Sequence, residues 1–186
     1  QMGADHDIMM PFTRLLAGPA DYHLGGFRSV PKKDYVVHYS RPLVTSTRCH
    51  MLAMYLVLES FLNMVCDSPE AYKGQPGFGF LKDVPTVWDE TRVLEANMAE
   101  YVVTARRKGK DWYVGCINNT TERTIDISFN FLEDGEYSLE LLKDSDDTDT
   151  NPNHLETSVM DVKKDDSTTV RLASSGGTVM KLSRKH

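Results

Sequence analysis

Residues 101–119 read YVVTARRKGKDWYVGCINN. Two apolar runs, Tyr101 to Val103 and Trp112 to Val114, flank Lys108-Gly109-Lys110-Asp111, and a glycine in a short polar turn between such runs is the signature of an antiparallel hairpin. Downstream, Ile125, Ile127, Phe129 and Phe131 alternate strictly, which places these apolar side chains on one face of a strand. Glu133-Asp134-Gly135 turns the chain toward Tyr137 to Leu142, and Val159 to Val162, Val170 to Leu172 and Val179 to Leu182 supply further short strands. No helix-length pattern falls among them, so this part of the chain is expected to be an antiparallel β-sandwich.

Before Pro85 the period is helical. Ser46 or Thr47 can cap a helix by accepting from the free N–H groups of its first turn. The run from Met51 to Leu58 is apolar all round, the pattern of a helix buried on most sides. Such a helix needs a neighbour on each side, and a (β/α) barrel provides one by wedging the helix between its sheet and adjoining helices. Glu59 ends this run, and a capping or pairing role suits it better than catalysis. Ser68-Pro69 opens a second short helix with a hydroxyl cap and Pro at the first helical position, and GQPGFG, Gly74 to Gly79, forms a loop. PKKDYVVHY, Pro31 to Tyr39, reads as a basic turn followed by a short strand. The expected architecture is therefore α/β plus all-β: residues 1–83 as the C-terminal end of a (β/α)8 barrel, residues 84–186 as the antiparallel domain, with the boundary near Lys82 to Val87.

With 186 residues and 40 % apolar content the chain can bury a sizeable core. A net charge of −6 and no basic stripe argue against nucleic acid as a partner. Cys49, Cys66 and Cys116 are too few and too scattered for a disulfide framework, and no CxxC pair suggests zinc. No uninterrupted apolar run of about eighteen residues exists to span a membrane, and no basic n-region precedes an apolar stretch at Gln1.

The stretch most like a site is PFTRLLAGPADYHLGGF, Pro11 to Phe27. The apolar run Ile8 to Met10 leads into it as a strand, and Gly18, Pro19, Gly25 and Gly26 then break any period while Arg14, Asp21, Tyr22 and His23 offer polar groups. Other candidates read as ordinary structure. DSDDTD, Asp144 to Asp149, fails the EF-hand frame because its sixth position is Asp149 and its twelfth is Leu155, which leaves a solvated loop. His6 and Asp7 lack a second histidine at helical spacing. Asn118 and Asn119 each begin an Asn-x-Thr acceptor that a strand-end turn explains equally well. Asp89 and Glu90 invite an acid/base reading, but they are adjacent on an extended chain and point to opposite faces, so they cannot flank one scissile bond.

Three blocks resemble a known family. HDIMMPFTRLLAGPADYHLGGF from His6 is similar to the late-barrel segment of glycoside hydrolase family 97, usually PFTR-x-x-x-GP-x-DYTPG; TRCHMLAMYLVLESFLNMVCDSPEAY, Thr47 to Tyr72, resembles its last barrel helix; and PTVWDETRVL, Pro85 to Leu94, resembles its entry into a C-terminal domain. His23-Leu24 departs from the usual Thr-Pro. The resemblance implies the C-terminal part of an exo-acting α-glycosidase on terminal α-glucosides or α-galactosides, periplasmic or secreted, with α-linked oligosaccharide and the upstream barrel segment of the same protein as partners. It also implies a calcium ion held by glutamates and a catalytic glutamic acid, all upstream of the PFTR block, so no catalytic or metal residue is assigned here and this chain alone is expected to be inactive. Gln1 then looks like an internal position of a longer protein. Arg14, Asp21 and Tyr22 are the candidate substrate-binding residues. The rival reading is a non-catalytic carbohydrate-binding or structural β module, which would show Trp112 and Tyr113 on an exposed face; a calcium-dependent adhesion role for the acidic run ranks below it.

Overall fold

A computed structural model describes residues 3–185; the expectations attached to Gln1 lie outside this range. The C-terminal part contains β1 (Glu90–Asn97), β2 (Tyr101–Lys108), β3 (Asp111–Asn118), β4 (Arg123–Ser128), β5 (Tyr137–Asp144), β6 (Leu155–Val162), β7 (Ser167–Leu172) and β8 (Gly177–Arg184). Six of these form one antiparallel sheet in the order β1-β2-β3-β8-β5-β6, and β4 pairs with β7 in a second. The hairpin expected at 101–119 is β2–β3, closed where Lys108 faces Asp111 with Gly109 at φ 60°. Ile125, Ile127, Phe129 and Phe131 are all buried, as their alternation requires.

The middle of the large sheet is apolar on both faces, which is why β2, β3 and β8 carry near-continuous buried runs. Val103, Val114, Cys116, Leu141 and Met180 point toward the β4–β7 pair and form one core with Ile127, Phe129 and Leu172. Their chain neighbours Val102, Tyr113, Ile117, Leu142 and Val179 point the other way, into a second core built around a helix. β1 escaped the sequence reading. It is an edge strand, mostly exposed, and ETRVLEAN has no apolar alternation to mark it.

Among the described residues four α-helices precede the strands: α1 (Ala4–Asp7), α2 (Arg48–Val57), α3 (Pro69–Tyr72) and α4 (Phe78–Asp83). All ten residues of α2 are buried, and the Thr47 hydroxyl accepts from the His50 N–H at 3.1 Å, the cap foreseen. One side of α2 lies on the sheet at glycines. A Cβ at Gly115 would come within 2.7 Å of Leu56 Cβ and 3.0 Å of the Ala53 carbonyl, and one at Gly177 within 2.7 Å of His50 Cα, so backbone meets backbone there. The other side is covered by Ile8, Leu24, Phe27, Val44, Tyr72 and Phe80. The neighbours that an all-apolar helix demands thus come from this chain's own sheet and N-terminal segments. The core around α2 draws residues from both sides of the Lys82–Val87 boundary.

Elsewhere the N-terminal part is irregular, and two expected strands are absent. Residues 8–10 form a turn continuing from α1. Pro31 to Tyr39 contains a 3-10 turn, Lys32–Asp34, followed by chain that belongs to no strand, with Val36, Val37 and Tyr39 exposed. An apolar run becomes a strand only where a partner edge exists, and neither run meets one. α3 has Pro69 at its start, but Ser68 makes no side-chain cap; instead its N–H donates to Asp67 Oδ1 at 2.8 Å. Gly74 and Gly77 take the positive φ of the expected loop, while Phe78 and Gly79 already belong to α4. Two isolated parallel bridges, His23 to Met64 and Ser29 to Val44, tie the loops together. Among the described residues no helix is long and apolar enough to cross a membrane.

Candidate functional site

The three sequence-predicted residues occupy different surroundings. Arg14 begins a 3-10 turn, Arg14–Ala17, and is exposed, its Nη1 donating to the Gly18 carbonyl at 3.3 Å. Asp21 is exposed and, among the described residues, makes no hydrogen bond or ion pair. Tyr22 is half-buried; its hydroxyl donates to Asp7 Oδ1 at 2.8 Å and lies 3.3 Å from His6 Nδ1. Desolvation, followed by the charge and hydrogen bond of Asp7, pushes the Tyr22 phenol well up, so it stays a donor.

Asp7, set aside in the sequence for want of a second histidine at helical spacing, is the centre of this arrangement. It is buried, with Oδ2 3.4 Å from Nε2 of the equally buried His50. His50 Nδ1 lies 3.0 Å from the Gly176 carbonyl, which can only accept, so that nitrogen carries a proton. The result is a chain of polar groups, His6, Tyr22, Asp7, His50 and the Gly176 carbonyl, that joins α1, the Pro11–Phe27 loop, α2 and the start of β8. Its His50–Asp7 half is closed to solvent, whereas the His6 end is open, with its side chain 39 % exposed. This arrangement orients the loop from beneath. His50, a titratable group at the head of an otherwise apolar helical run, was the available signal, because such a group needs a buried partner.

The acidic run divides in two, which corrects the solvated-loop expectation. Asp144 is buried, and its Oδ2 accepts from the N–H groups of Ala173 at 3.1 Å and Gly177 at 2.9 Å. Burial raises its pKa, opposed by these hydrogen bonds. Asp147, outside, accepts from Ser145 Oγ at 2.5 Å and faces His154 Nδ1 at 2.8 Å, and these contacts hold its carboxyl below the usual range. Asp89 accepts from Gly109 N and Lys108 Nζ, and Glu90 from Arg92 of its own strand and from Arg107 across the β1–β2 pair; both carboxyls are held down by these partners. Asn118 is buried, donating to the Thr121 and Ala173 carbonyls, so the first Asn-x-Thr acceptor is closed. The three cysteines are free, two of them buried. Among the described residues no group of three or more His, Cys, Asp or Glu could hold a metal ion, so these residues do not fit a calcium ion.

Comparison with known proteins adds to this geometry. Residues 87–183 match the family model described as "Glycosyl-hydrolase 97 C-terminal, oligomerisation". The chain is 42 % identical over 178 residues to a retaining alpha-galactosidase of Bacteroides thetaiotaomicron, covering 95 % of this chain and 27 % of that protein. It is 27 % identical over 145 residues to a probable retaining alpha-galactosidase of Streptomyces bingchenggensis, covering 77 % of this chain and 21 % of that protein. A glycoside hydrolase family 97 enzyme from Pseudoalteromonas sp. strain K8, solved with acarbose, superposes with a TM-score of 0.87 at 32 % identity, over 99 % of this chain and 29 % of that one. This chain therefore spans about a quarter of the length of the relatives it matches.

Proposed function

The chain belongs to glycoside hydrolase family 97, and from that membership we propose that it is the C-terminal portion of an exo-acting α-glycosidase hydrolysing terminal α-galactosides, with α-glucosides as the alternative. The observation that carries this is the 42 % identity to a retaining alpha-galactosidase over 95 % of the chain. In this reading residues 1–83 close a (β/α)8 barrel. The parallel bridge between His23 and Met64 supports it, as do Phe61, Leu62 and Val65, apolar yet exposed directly after α2.

The fragment's own share is barrel closure and a substrate-facing loop. Asp21, exposed and without a partner among the described residues, is the group in that loop free to accept from sugar hydroxyls, with Arg14 on the same loop. Tyr22, engaged with Asp7, sets the loop's position. Calcium and the catalytic carboxylates would come from the upstream segment, and a periplasmic or secreted setting goes with the same reading. The carbohydrate-binding rival has no specific support, since Trp112 and Tyr113 are both buried.

The test is hydrolysis of nitrophenyl α-galactoside and α-glucoside by the full-length protein and by the 186-residue chain. Turnover by the full-length protein alone, faster on the galactoside, is expected. A full-length protein inactive on both, or a fragment whose turnover is abolished by replacing one of its own carboxylates, would overturn the reading.

A further inference from the structure

The Ala20 N–H donates to the Glu59 carbonyl at 3.0 Å, and His23 forms a parallel bridge with Met64. Two segments, 20–23 and 59–64, therefore run side by side in one direction, with α2 as the crossover between them. The chain that leaves each segment emerges at the same, carboxyl, end of the pair. In α/β proteins the loops at that end enclose the ligand. A groove of about 860 Å³ opens there. One wall comes from the chain after the first segment, Phe27 to Val30 and Ser40 to Leu43, and the other from the chain after the second, Asp67 to Gln75. Asn153, from the turn before β6, joins them.

The frame of the groove is fixed. Arg28 bridges the two walls, its Nε donating to Asp67 Oδ2 at 2.5 Å and its Nη2 to Oδ1 at 3.4 Å. Asn153 accepts from the Ser29 N–H at 3.0 Å and donates to the Ser29 carbonyl at 2.7 Å. The remaining polar groups are unspent. Glu70 and the hydroxyls of Ser40 and Ser68 make no hydrogen bond or ion pair among the described residues, and Arg41 acts on Asp67 only through space. Gln75 uses only its Oε1, as acceptor from Arg48, and the Ser29 hydroxyl is buried without a partner. Two guanidiniums, Arg28 and Arg41, are matched by two carboxyls, Asp67 and Glu70, so the lining has no net charge to draw in an ion. It offers both donors and acceptors, with Val30, Leu43 and Ala71 between them. Sugar hydroxyls both donate and accept, and the C–H faces of the rings suit the apolar patches. The volume lies in the upper part of the range of roughly 300–1,000 Å³ for small-molecule sites, room for more than one sugar ring.

We propose that this groove binds the sugar units of an α-linked oligosaccharide that follow its terminal residue, with Arg28, Arg41, Glu70 and Gln75 as the groups that hydrogen-bond them. The proposal rests on the reading of the chain as part of an exo-acting α-glycosidase, whose reaction lies at the terminal unit, and it adds where the remainder of the substrate is held.

The experiment uses the full-length protein and compares kcat/KM on raffinose, an α-galactosyl trisaccharide, with kcat/KM on nitrophenyl α-galactoside, which has no sugar beyond the terminal one. Maltotriose and nitrophenyl α-glucoside take their place if glucosides are the better substrates. Arg28→Met and Glu70→Ala should each lower the ratio of the first to the second by at least about tenfold, the factor for one lost hydrogen bond to a charged group, and the loss should fall on KM for the trisaccharide. Glu70 is exposed and has no partner among the described residues, so its variant keeps the test open if Arg28→Met fails to fold. Binding of sucrose, the part of raffinose beyond its galactose, is titrated on the same preparations and should weaken by a similar factor. A ratio that stays within about twofold of the wild type in the variants that fold would overturn the proposal. So would equal losses on both substrates, which make the groove a structural seam of the enzyme. Sucrose binding that weakens in the variants of an enzyme inactive on every substrate sinks the functional reading alone, whereas an active enzyme whose variants change neither the ratio nor sucrose binding sinks the groove alone.

Discussion

Residues 84–185 and residues 3–83 are held together in different ways. The first region is built by alternation: the inner strands of the large sheet, β2, β3, β8 and β5, send successive side chains into two cores, and the order of the region is spread over many equivalent contacts. The second has one long buried helix and little other regular structure. Its loops are tied down by a few buried polar groups that reach across the chain. Arg48, at the start of α2, is the foremost of these. Its guanidinium lies 4.2 Å from the centre of the Phe27 ring and donates to the carbonyls of Phe27 at 2.5 Å and Pro76 at 2.9 Å, and to Asn153 Oδ1 at 2.7 Å. Asn153 in turn donates to the Ser29 carbonyl, so one side chain fastens the N-terminal loops to the turn before β6. Many weak equivalent contacts tolerate loss; a single multidentate group does not.

The largest expected effect follows. Arg48→Met keeps the apolar stem but leaves several buried acceptors without a donor, and each hydrogen bond from a charged group is worth about 1.5–3 kcal/mol. The folded state should lose roughly 3 kcal/mol or more in urea unfolding, with amide exchange accelerating first in residues 3–83. Equal acceleration in β3 and β8 would mean that the two regions share one fate, and the contrast drawn above would fail.

A second prediction separates function from stability within the N-terminal region. Asp21→Ala in the full-length protein removes a charge-assisted acceptor worth about 1.5–3 kcal/mol, and kcat/KM should fall by roughly tenfold to a few hundredfold. The melting temperature should stay put, because Asp21 has no partner among the described residues. A turn-capping aspartate would instead cost about 0.5–2 kcal/mol of stability and leave kcat/KM alone.

The regions meet at Gly177, where a Cβ would press on His50 backbone atoms at 2.7–2.8 Å and on the Cys116 carbonyl at 2.7 Å. Gly177→Ala should cost about 1–3 kcal/mol, the usual range for overpacking, and perturb both regions together. A neutral variant would show that α2 can slide on the sheet, and that the seam is softer than its backbone contacts indicate.

The same contrast explains what could be read from the residues alone. Strands with both faces buried announced themselves through the runs of β2 and β3, and β4, buried on one face, through the alternation that starts at Ile125 and Ile127. β1, an edge strand with little burial, did not. In the N-terminal region Thr47 marked the start of α2, yet what covers that helix depends on the approach of Gly115 and Gly177, more than fifty residues away in sequence. The candidate site was legible as a loop and no further. That Tyr22 belongs to Asp7 and His50 is a tertiary fact, and nothing local to Asp7 marks it beyond a histidine spacing that does not suit a metal. The acidic run misled for a related reason: composition predicts solvent, whereas the 173–177 turn wraps its N–H groups around Asp144 alone.

Asp144 yields the smallest effect, and the one that bears most directly on how the seam is held. Burial raises its folded-state pKa above the ordinary carboxylate value of about 3.9, so the folded chain binds this proton more tightly than the unfolded chain does. Its contribution to stability is therefore greatest below about pH 4 and declines as pH rises toward the folded-state pKa, by at most about 1.4 kcal/mol per pH unit within that window. Asp67 and Asp147 behave oppositely: their partners lower their pKa values, so they add stability above the ordinary carboxylate range and lose it on acidification. The total curve mixes both signs, which is why a difference measurement is needed. Asp144→Asn keeps an oxygen for the Ala173 and Gly177 N–H groups and removes the charge. Urea unfolding of both proteins from about pH 3 to about pH 8 should show the wild type losing ground to the variant across the lower part of that range, then running parallel to it. If the wild type instead gains on the variant as pH rises, the hydrogen bonds from the turn outweigh desolvation, and Asp144 is a charged clamp of the same kind as Arg48 rather than a carboxyl that the β region keeps at a cost.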